Sequence, residues 1–242
     1  MEAPTYFLIK HVFLCLCGDN VVVLDLKQQR YRALGARRTS RLAELVPGWP
    51  TPDGGTEQAV ADDDAGCRAL AQELVRQGIL SMDRATGKDA VPACVPKPSA
   101  QILPDACMEP ARVNARAIVA LTLALASAAL RNRFCSLERI TRGVNRRNRA
   151  LQAKAQPLRL ERARDLARTY TQLRPLFFAS RDACLFESLV LLGFLAHYGI
   201  HADWIFGVRM KPWLAHCWLQ RDGVVLSDTL EHVGFFTPIM VV

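Results

Sequence analysis

The sequence predicts an α+β chain of two units. Three observations carry the prediction. Residues 1–81 alternate strand-like runs and then turn helical, residues 82–111 are rich in proline, and residues 112–242 open on alanine-rich helices and close on a helix followed by paired strands. Half of the 242 residues are apolar, which excludes disorder throughout and leaves room for one large core or two small ones.

The first unit is expected over residues 1–81. Tyr6–Cys17 and Val21–Leu26 are rich in Val, Leu, Phe and Ile and are split by the turn residues Gly18-Asp19-Asn20, and Arg30–Leu34 makes a short third strand. Thr39–Val46 reads as a helix with Leu42 and Leu45 inward. Ala61–Gln77 reads as a second, carrying Ala65, Ala69, Leu70 and Leu74, and Gly78-Ile79-Leu80 closes as a short strand. A three-stranded antiparallel sheet followed by helices is winged-helix-like. Domains of that shape often bind DNA, but the candidate recognition helix carries Asp62, Asp63, Asp64 and Glu73 against Arg68 and Arg76, the wrong sign for a phosphate backbone. No nucleic-acid partner is expected.

Pro92, Pro96, Pro98, Pro104 and Pro110 then make residues 82–111 an extended, semi-rigid linker. Ala111–Leu130 follows as a strongly apolar helix. Its uncharged part, Ala117–Leu130, is fourteen residues long, which suits a buried core helix and is short for a membrane span, so no span is expected. Residues 131–168 hold twelve Lys or Arg against three acids, more than the whole net charge of +8. A solvated helical face is the plain explanation; an acidic peptide, a nucleotide phosphate or a partner protein are the alternatives. No phosphate-cradling glycine-rich motif occurs, so any ATP would belong to a partner. Eight irregularly spaced cysteines and the lack of a secretory leader point to thiols in a reducing cytoplasm.

The chemistry concentrates in the last quarter of the chain. From Ala183 to Tyr198 the residues Leu185, Leu189, Leu192 and Leu195 recur at spacings of three and four, and Gly199 sits where a helix stops. Asp182 is placed to cap that helix. Cys184 then falls in the first turn, where free backbone N–H groups and the positive end of the helix dipole favour thiolate. Ala202–Arg209 and Ala215–Gln220 read as strands, and Arg221-Asp222-Gly223 as a three-residue hairpin loop with a bulge at Gly223. That register sets His216 opposite Asp228, whereas a two-residue Asp222-Gly223 loop would set Cys217 opposite Asp228. Cys184, His216 and Asp228 supply a nucleophile, a base and an orienter. Taken singly, each has an ordinary structural role: a small buried thiol, a strand histidine, a turn former. A metal site is not expected, since no paired CxxC or HxxxH spacing occurs and adjacent His216 and Cys217 should point to opposite faces of a strand.

The run CLFESLVLLGFLAHYGIHADWIFGVRM, then AHCW, then LSD, resembles the transglutaminase-like, papain-like cysteine protease domain of lasso peptide maturation B proteins of the microcin J25 type, over residues 112–242. The resemblance implies a peptidase that removes the leader from a ribosomally made precursor peptide, with Cys184 as nucleophile, His216 as general base and acid, and Asp228 orienting the imidazole. Phe186 and Glu187 depart from the small or basic pair usual after Cys-Leu. The run VVVLDLKQQRYRAL followed by helices is similar to the precursor-recognition element of the pyrroloquinoline quinone biosynthesis chaperone, which these proteins carry fused or as a separate chain. In that family the leader adds as a strand, so the implied docking edge is Tyr31, Arg32, Ala33 and Leu34 and the floor Leu70 and Leu74. About half of these also suit an ordinary core. The resemblance further implies no directly bound cofactor and a separate, ATP-using, asparagine-synthetase-like macrocyclase as partner. Acyl transfer by the same three residues, and a non-catalytic peptide-binding scaffold, are the competing functions.

Overall fold

The computed structural model describes residues 5–52, 64–102, 113–153, 160–177 and 184–242. The chain is a mixed α+β structure, as expected, and divides into two compact units. The first comprises Met1–Cys94, Gly207–Leu214 and Thr237–Met240; the second comprises Val95–Phe206, Ala215–Phe236 and Val241–Val242.

In the first unit the predicted strand Tyr6–Cys17 is two strands, β1 (Phe7–Ile9) and β2 (Val12–Cys17). The break at Lys10-His11 arises because the two halves find different partners. Ile9 N donates to Ile79 O at 3.0 Å and Lys10 N to Thr86 O at 3.3 Å, whereas His11 O accepts from Leu26 N at 3.1 Å. β2 pairs antiparallel with β3 (Asn20–Asp25), which pairs with β4 (Arg30–Gly35), giving the order β2-β3-β4. β1 lies instead between β5 (Leu80–Ser81) and β6 (Gly87–Lys88) in a second antiparallel sheet. The helix expected at Thr39–Val46 starts earlier and is shorter: α1 spans Ala36–Thr39 and a 3₁₀ turn spans Ser40–Glu44. Thr39 Oγ1 donates back to Gly35 O (3.1 Å) and Ala36 O (3.3 Å), a local bond that competes with continuation of the helix.

α2 spans Asp64–Arg76. The predicted start at Ala61 and the acids Asp62 and Asp63 lie outside the described residues. Its inward face is Cys67, Ala71 and Leu74, while Ala65 and Ala69 are exposed. With Tyr6, Leu14, Val21, Val23 and Leu42 these residues form one core, each large side chain contributing about 1.5–3 kcal/mol by leaving water. Within the proline-rich stretch, Gly87–Lys88 are β6, Ala90 N donates to Pro47 O at 2.7 Å, and Ala100–Gln101 are β7; Pro104 and Pro110 lie outside the described residues.

The second unit carries α3 (Ala115–Phe134), α4 (Leu137–Gln152), α5 (Leu160–Leu173) and α6 (Cys184–His197). Asn114 Oδ1 caps α3 by accepting from Ala117 N at 2.9 Å. α3 is only partly the buried core helix its composition suggests. Ala117, Ala120, Leu121, Ala124 and Ala128 are buried, but Ile118, Val119, Leu123 and Leu130 are exposed. The stripe of alanines lets α6 approach: a Cβ on Gly193 would stand 3.1 Å from Ala124 Cβ. By length and composition α3 could cross a membrane, a test that core helices also pass. The basic stretch runs through α4, whose Arg139, Arg142, Arg146 and Arg149 are exposed opposite buried Ile140 and Val144, the solvated face that its charge suggests.

α6 is apolar around its circumference, with Leu189, Val190, Leu191, Leu192, Phe194 and Leu195 all buried, as befits a central helix. The mixed sheet has the order β11-β8-β9-β10-β7, where β8 is Asp203–Arg209, β9 Leu214–Arg221, β10 Val224–Val225 and β11 Thr237–Val241. Trp204 on β8 is fully buried and its Nε1 donates to Ser188 Oγ on α6 at 2.9 Å, tying sheet to helix one turn beyond Cys184.

Candidate active site

Cys184 is the first residue of α6. Its position leaves the early N–H groups of the helix without intrahelical partners around the sulfur. Asp182, the expected cap, lies outside the described residues. The thiol is pulled down to about 4, first by a hydrogen bond from Cys217 and then, against the opposing cost of burial, by the hydrogen bond and charge of His216.

The hairpin that delivers His216 differs from the expected one. Arg221 pairs with Val224 and Gln220 with Val225, so the loop is the two-residue Asp222-Gly223 turn. Both have positive φ, +51° and +77°, the signature of a type I′ turn, whose twist matches that of the flanking strands. Continued unchanged, this register would set Asp228 opposite Cys217. It is not continued. After Leu226 N donates to Leu219 O (2.8 Å), Ser227 Oγ takes the Leu219 N–H at 2.9 Å and the chain leaves the ladder. Asp228 is thus freed from strand register and reaches His216 from the turn before α7 (Leu230–Val233), which Thr229 caps through its side chain.

His216 Nε2 donates to Asp228 Oδ2 at 2.5 Å, and the imidazole also hydrogen-bonds Cys184. Burial works against the imidazolium, but the hydrogen bonds to Asp228 and Cys184 and their charges outweigh it and raise His216 to about 9. Asp228 is held below the usual carboxylate range: burial opposes its charge, and the hydrogen bonds from His216, His232 and Thr229 N prevail. Near neutral pH the three groups are therefore thiolate, imidazolium and carboxylate.

Three residues that the sequence reading left out complete the cluster. His232 Nδ1 donates to the same Asp228 oxygen at 2.9 Å, and its ring lies 4.8 Å from that of His216. Its place four residues after Asp228 is legible as helical spacing. Ser188, four residues after Cys184, donates to Cys184 O at 2.6 Å and lies 3.3 Å from Cys217 Sγ. Cys217 is the third, and it corrects the expectation that neighbours on a strand must serve opposite faces. Both His216 and Cys217, neighbours on one strand, hydrogen-bond Cys184.

These residues line a cavity of about 520 Å³. Its wall includes the Arg174–Glu187 ion pair, Nη2 to Oε1 at 2.6 Å and Nε to Oε2 at 3.1 Å, so Glu187, unusual for the resembled family, is neutralised in place. Ligand atoms of His216, Asp228 and His232 lie within 4.8 Å of one another and could in principle hold a metal ion. The Asp228 oxygen is nevertheless only 2.5 and 2.9 Å from the two ring nitrogens, hydrogen-bond spacing that is shorter than the ~3.3 Å between ligands about 2.0 Å from a tetrahedral ion.

The other predicted site residues lie in the first unit. Tyr31, Arg32, Ala33 and Leu34 sit on β4, the outer strand of its sheet. Arg32 Nη1 donates to Gln77 Oε1 at 2.8 Å, just beyond the end of α2. Leu34 and Leu70 are half-buried against the core, while Leu74 is 1% exposed and lies within it.

A thiol at a helix start, beside a strand imidazole that is held by a carboxylate from the turn after the hairpin, is an arrangement that thiol enzymes use for acyl transfer. The chain belongs to the transglutaminase-like superfamily, whose profile matches residues 115–241, more than half of its length; members are usually Cys-His-Asp enzymes. No curated protein and no solved structure matches the chain.

Proposed function

We propose that this chain is a cysteine peptidase that binds the leader of a ribosomally made lasso precursor peptide and removes it. The observation that carries the reading is the Cys184–His216–Asp228 chain of hydrogen bonds opening on one cavity. The Cys184 thiolate attacks the carbonyl carbon before the mature peptide, and the oxyanion that forms is met by the Cys184 N–H at the helix end. His216 passes its proton to the leaving amine as the C–N bond breaks. It then takes a proton from water as water opens the thioester, returning the thiolate and a leader ending in a carboxylate.

The leader would add along β4, an unshared sheet edge among the described residues, over a floor of Leu34 and Leu70. Leu74 would then support the floor from beneath. The reading needs no bound cofactor. It includes a separate asparagine-synthetase-like macrocyclase as the ATP-using partner, and a cytoplasmic setting suited to free thiols. The test is incubation of the protein with a lasso precursor peptide, candidates being short reading frames near its own gene, read by mass spectrometry. Wild type should release a leader ending in a free acid, and Cys184→Ala should bind the peptide without cutting it. An amide product would instead indicate acyl transfer to an amine, and cleavage retained in Cys184→Ala would remove the thiol mechanism.

A further inference from the structure

Side chains along β4 alternate between the two faces of its sheet. Arg32 and Leu34 lie on the α2 side, where Arg32 donates to Gln77 and Leu34 packs on the core. Tyr31 therefore lies on the other side, and there Trp213 meets it edge-on, with ring centroids 5.6 Å apart. Trp213 directly precedes β9, in the segment Gly207–Leu214 that belongs to the first unit. Of the four tryptophans it alone is exposed, at 45% against 4% or less for Trp49, Trp204 and Trp218, and Leu214 beside it is exposed too. A rigid aromatic half in water, next to an unshared sheet edge, has the make-up of a binding anchor. The charge around it has one sign. Residues 26–43 hold six cations and no acid. Lys27 and Arg30 are exposed where β4 begins, and Arg37 and Arg38 are exposed in α1, just past its end.

We propose that β4 and Trp213 together take an extended acidic peptide segment, one apolar or aromatic side chain of which seats against the Tyr31–Trp213 pair while its carboxylates face the cations at the two strand ends. This deepens the proposed function, on whose docking strand it rests: the leader would be acidic, and Trp213, from outside the β2-β3-β4 sheet, would help select it. A strand added to β4 sets one residue directly across from Tyr31 on the same face, with Cβ atoms about 4.5–5.5 Å apart. The residues on either side of that one turn to the opposite face, over Leu34 and Leu70, so the segment is read on both faces. A single-stranded nucleic acid would meet the same cations and could stack on the same indole. Its phosphodiester backbone only accepts hydrogen bonds, however, whereas a strand edge offers both N–H and C=O groups, which a peptide backbone satisfies together.

The experiment uses the full-length protein near neutral pH. It is panned against a phage-displayed random-peptide library, and the most enriched sequence is made as a soluble peptide. Acrylamide quenches tryptophan by contact, so in this protein it reports chiefly on Trp213. Enriched sequences should carry acids around alternating apolar residues, and the peptide should shield Trp213 from acrylamide and bind less tightly as salt rises. Trp213→Ala should weaken binding by about tenfold or more, while Trp213→Phe retains most of it. The double change Arg37→Gln and Arg38→Gln should weaken binding and flatten its salt dependence. Failure to enrich any peptide, enrichment of neutral or basic ones, or binding that leaves Trp213 open to acrylamide overturns the proposal, and the shielding test in wild type decides even where an alanine variant fails to fold. An oligodeoxythymidine that binds more tightly than the peptide, with the same shielding, also overturns it in favour of nucleic acid. The two readings fail separately: an acidic peptide that shields Trp213 in a protein that cuts no precursor removes the peptidase alone, whereas a cleaved precursor that Trp213→Ala binds as tightly as wild type removes this docking site alone.

Discussion

Cys15 and Cys184 are the same functional group in two settings. Cys15 sits mid-strand on β2, paired with Val22 and 1% exposed, and burial, with a smaller push from Cys17, drives its thiol up to about 12. Cys184 is also largely shielded, yet donors from Cys217 and His216 bring it down to about 4. Burial raises both; only the second site supplies groups that prefer the anion. The comparison shows that depth alone makes a thiol inert, and that reactivity is built by the donors around the sulfur.

The strongest way to break the contrast is to remove those donors. His216→Ala and Asp228→Asn should each cut the cleavage rate by about three to four orders of magnitude, since a neutral partner neither fixes the imidazole tautomer nor supports its charge. Single-turnover kinetics on folded variants would check this, and an Asp228→Asn protein of undiminished rate would leave a Cys-His dyad. The wild-type rate should trace a bell with limbs near 4 and 9: Cys184 becomes thiolate as pH rises through about 4, and His216 loses its proton through about 9. A smaller effect is expected from Cys217→Ala. Losing one hydrogen bond to a charged sulfur, worth about 1.5–3 kcal/mol, should move the acid limb of Cys184 alkylation up by about one to two pH units.

Gly223→Val tests the frame that carries His216. At φ +77°, with a new Cβ only 3.2 Å from Ser99 Oγ, it should cost about 1–3 kcal/mol in denaturant unfolding. The smallest change belongs to the quiet thiol. Cys15→Ala should leave labelling of Cys184 unaltered and lower stability by about 1 kcal/mol, measured by the same unfolding curves.

The thiol cluster and the strands of the first unit were legible to different degrees. Cys184 at a helix start, and the order Cys, His, Asp, could be read from spacing, because helix periodicity and turn residues are local signals. The hairpin was misjudged: Asp-Gly favours the two-residue type I′ turn, and the contact between His216 and Asp228 survives only because Ser227 ends the ladder through its side chain. No periodicity predicts that exit. Cys217 and Trp204 were missed for a similar reason, since what joins them to Cys184 is the packing of helix on sheet. In the first unit, the break at Lys10-His11 was hidden because each half of Tyr6–Cys17 has strand composition, and only the identity of its partners separates them.

The most direct test of the account is the pH profile of iodoacetamide labelling at Cys184 in the native protein, read peptide by peptide against Cys15. Cys184 should label at nearly full rate at pH 6 and lose reactivity only as pH falls toward 4, while Cys15 stays unlabelled until the protein is unfolded. A Cys184 profile that rises only near pH 8.5, the range of an ordinary thiol, would contradict the central claim that this helix end holds a thiolate.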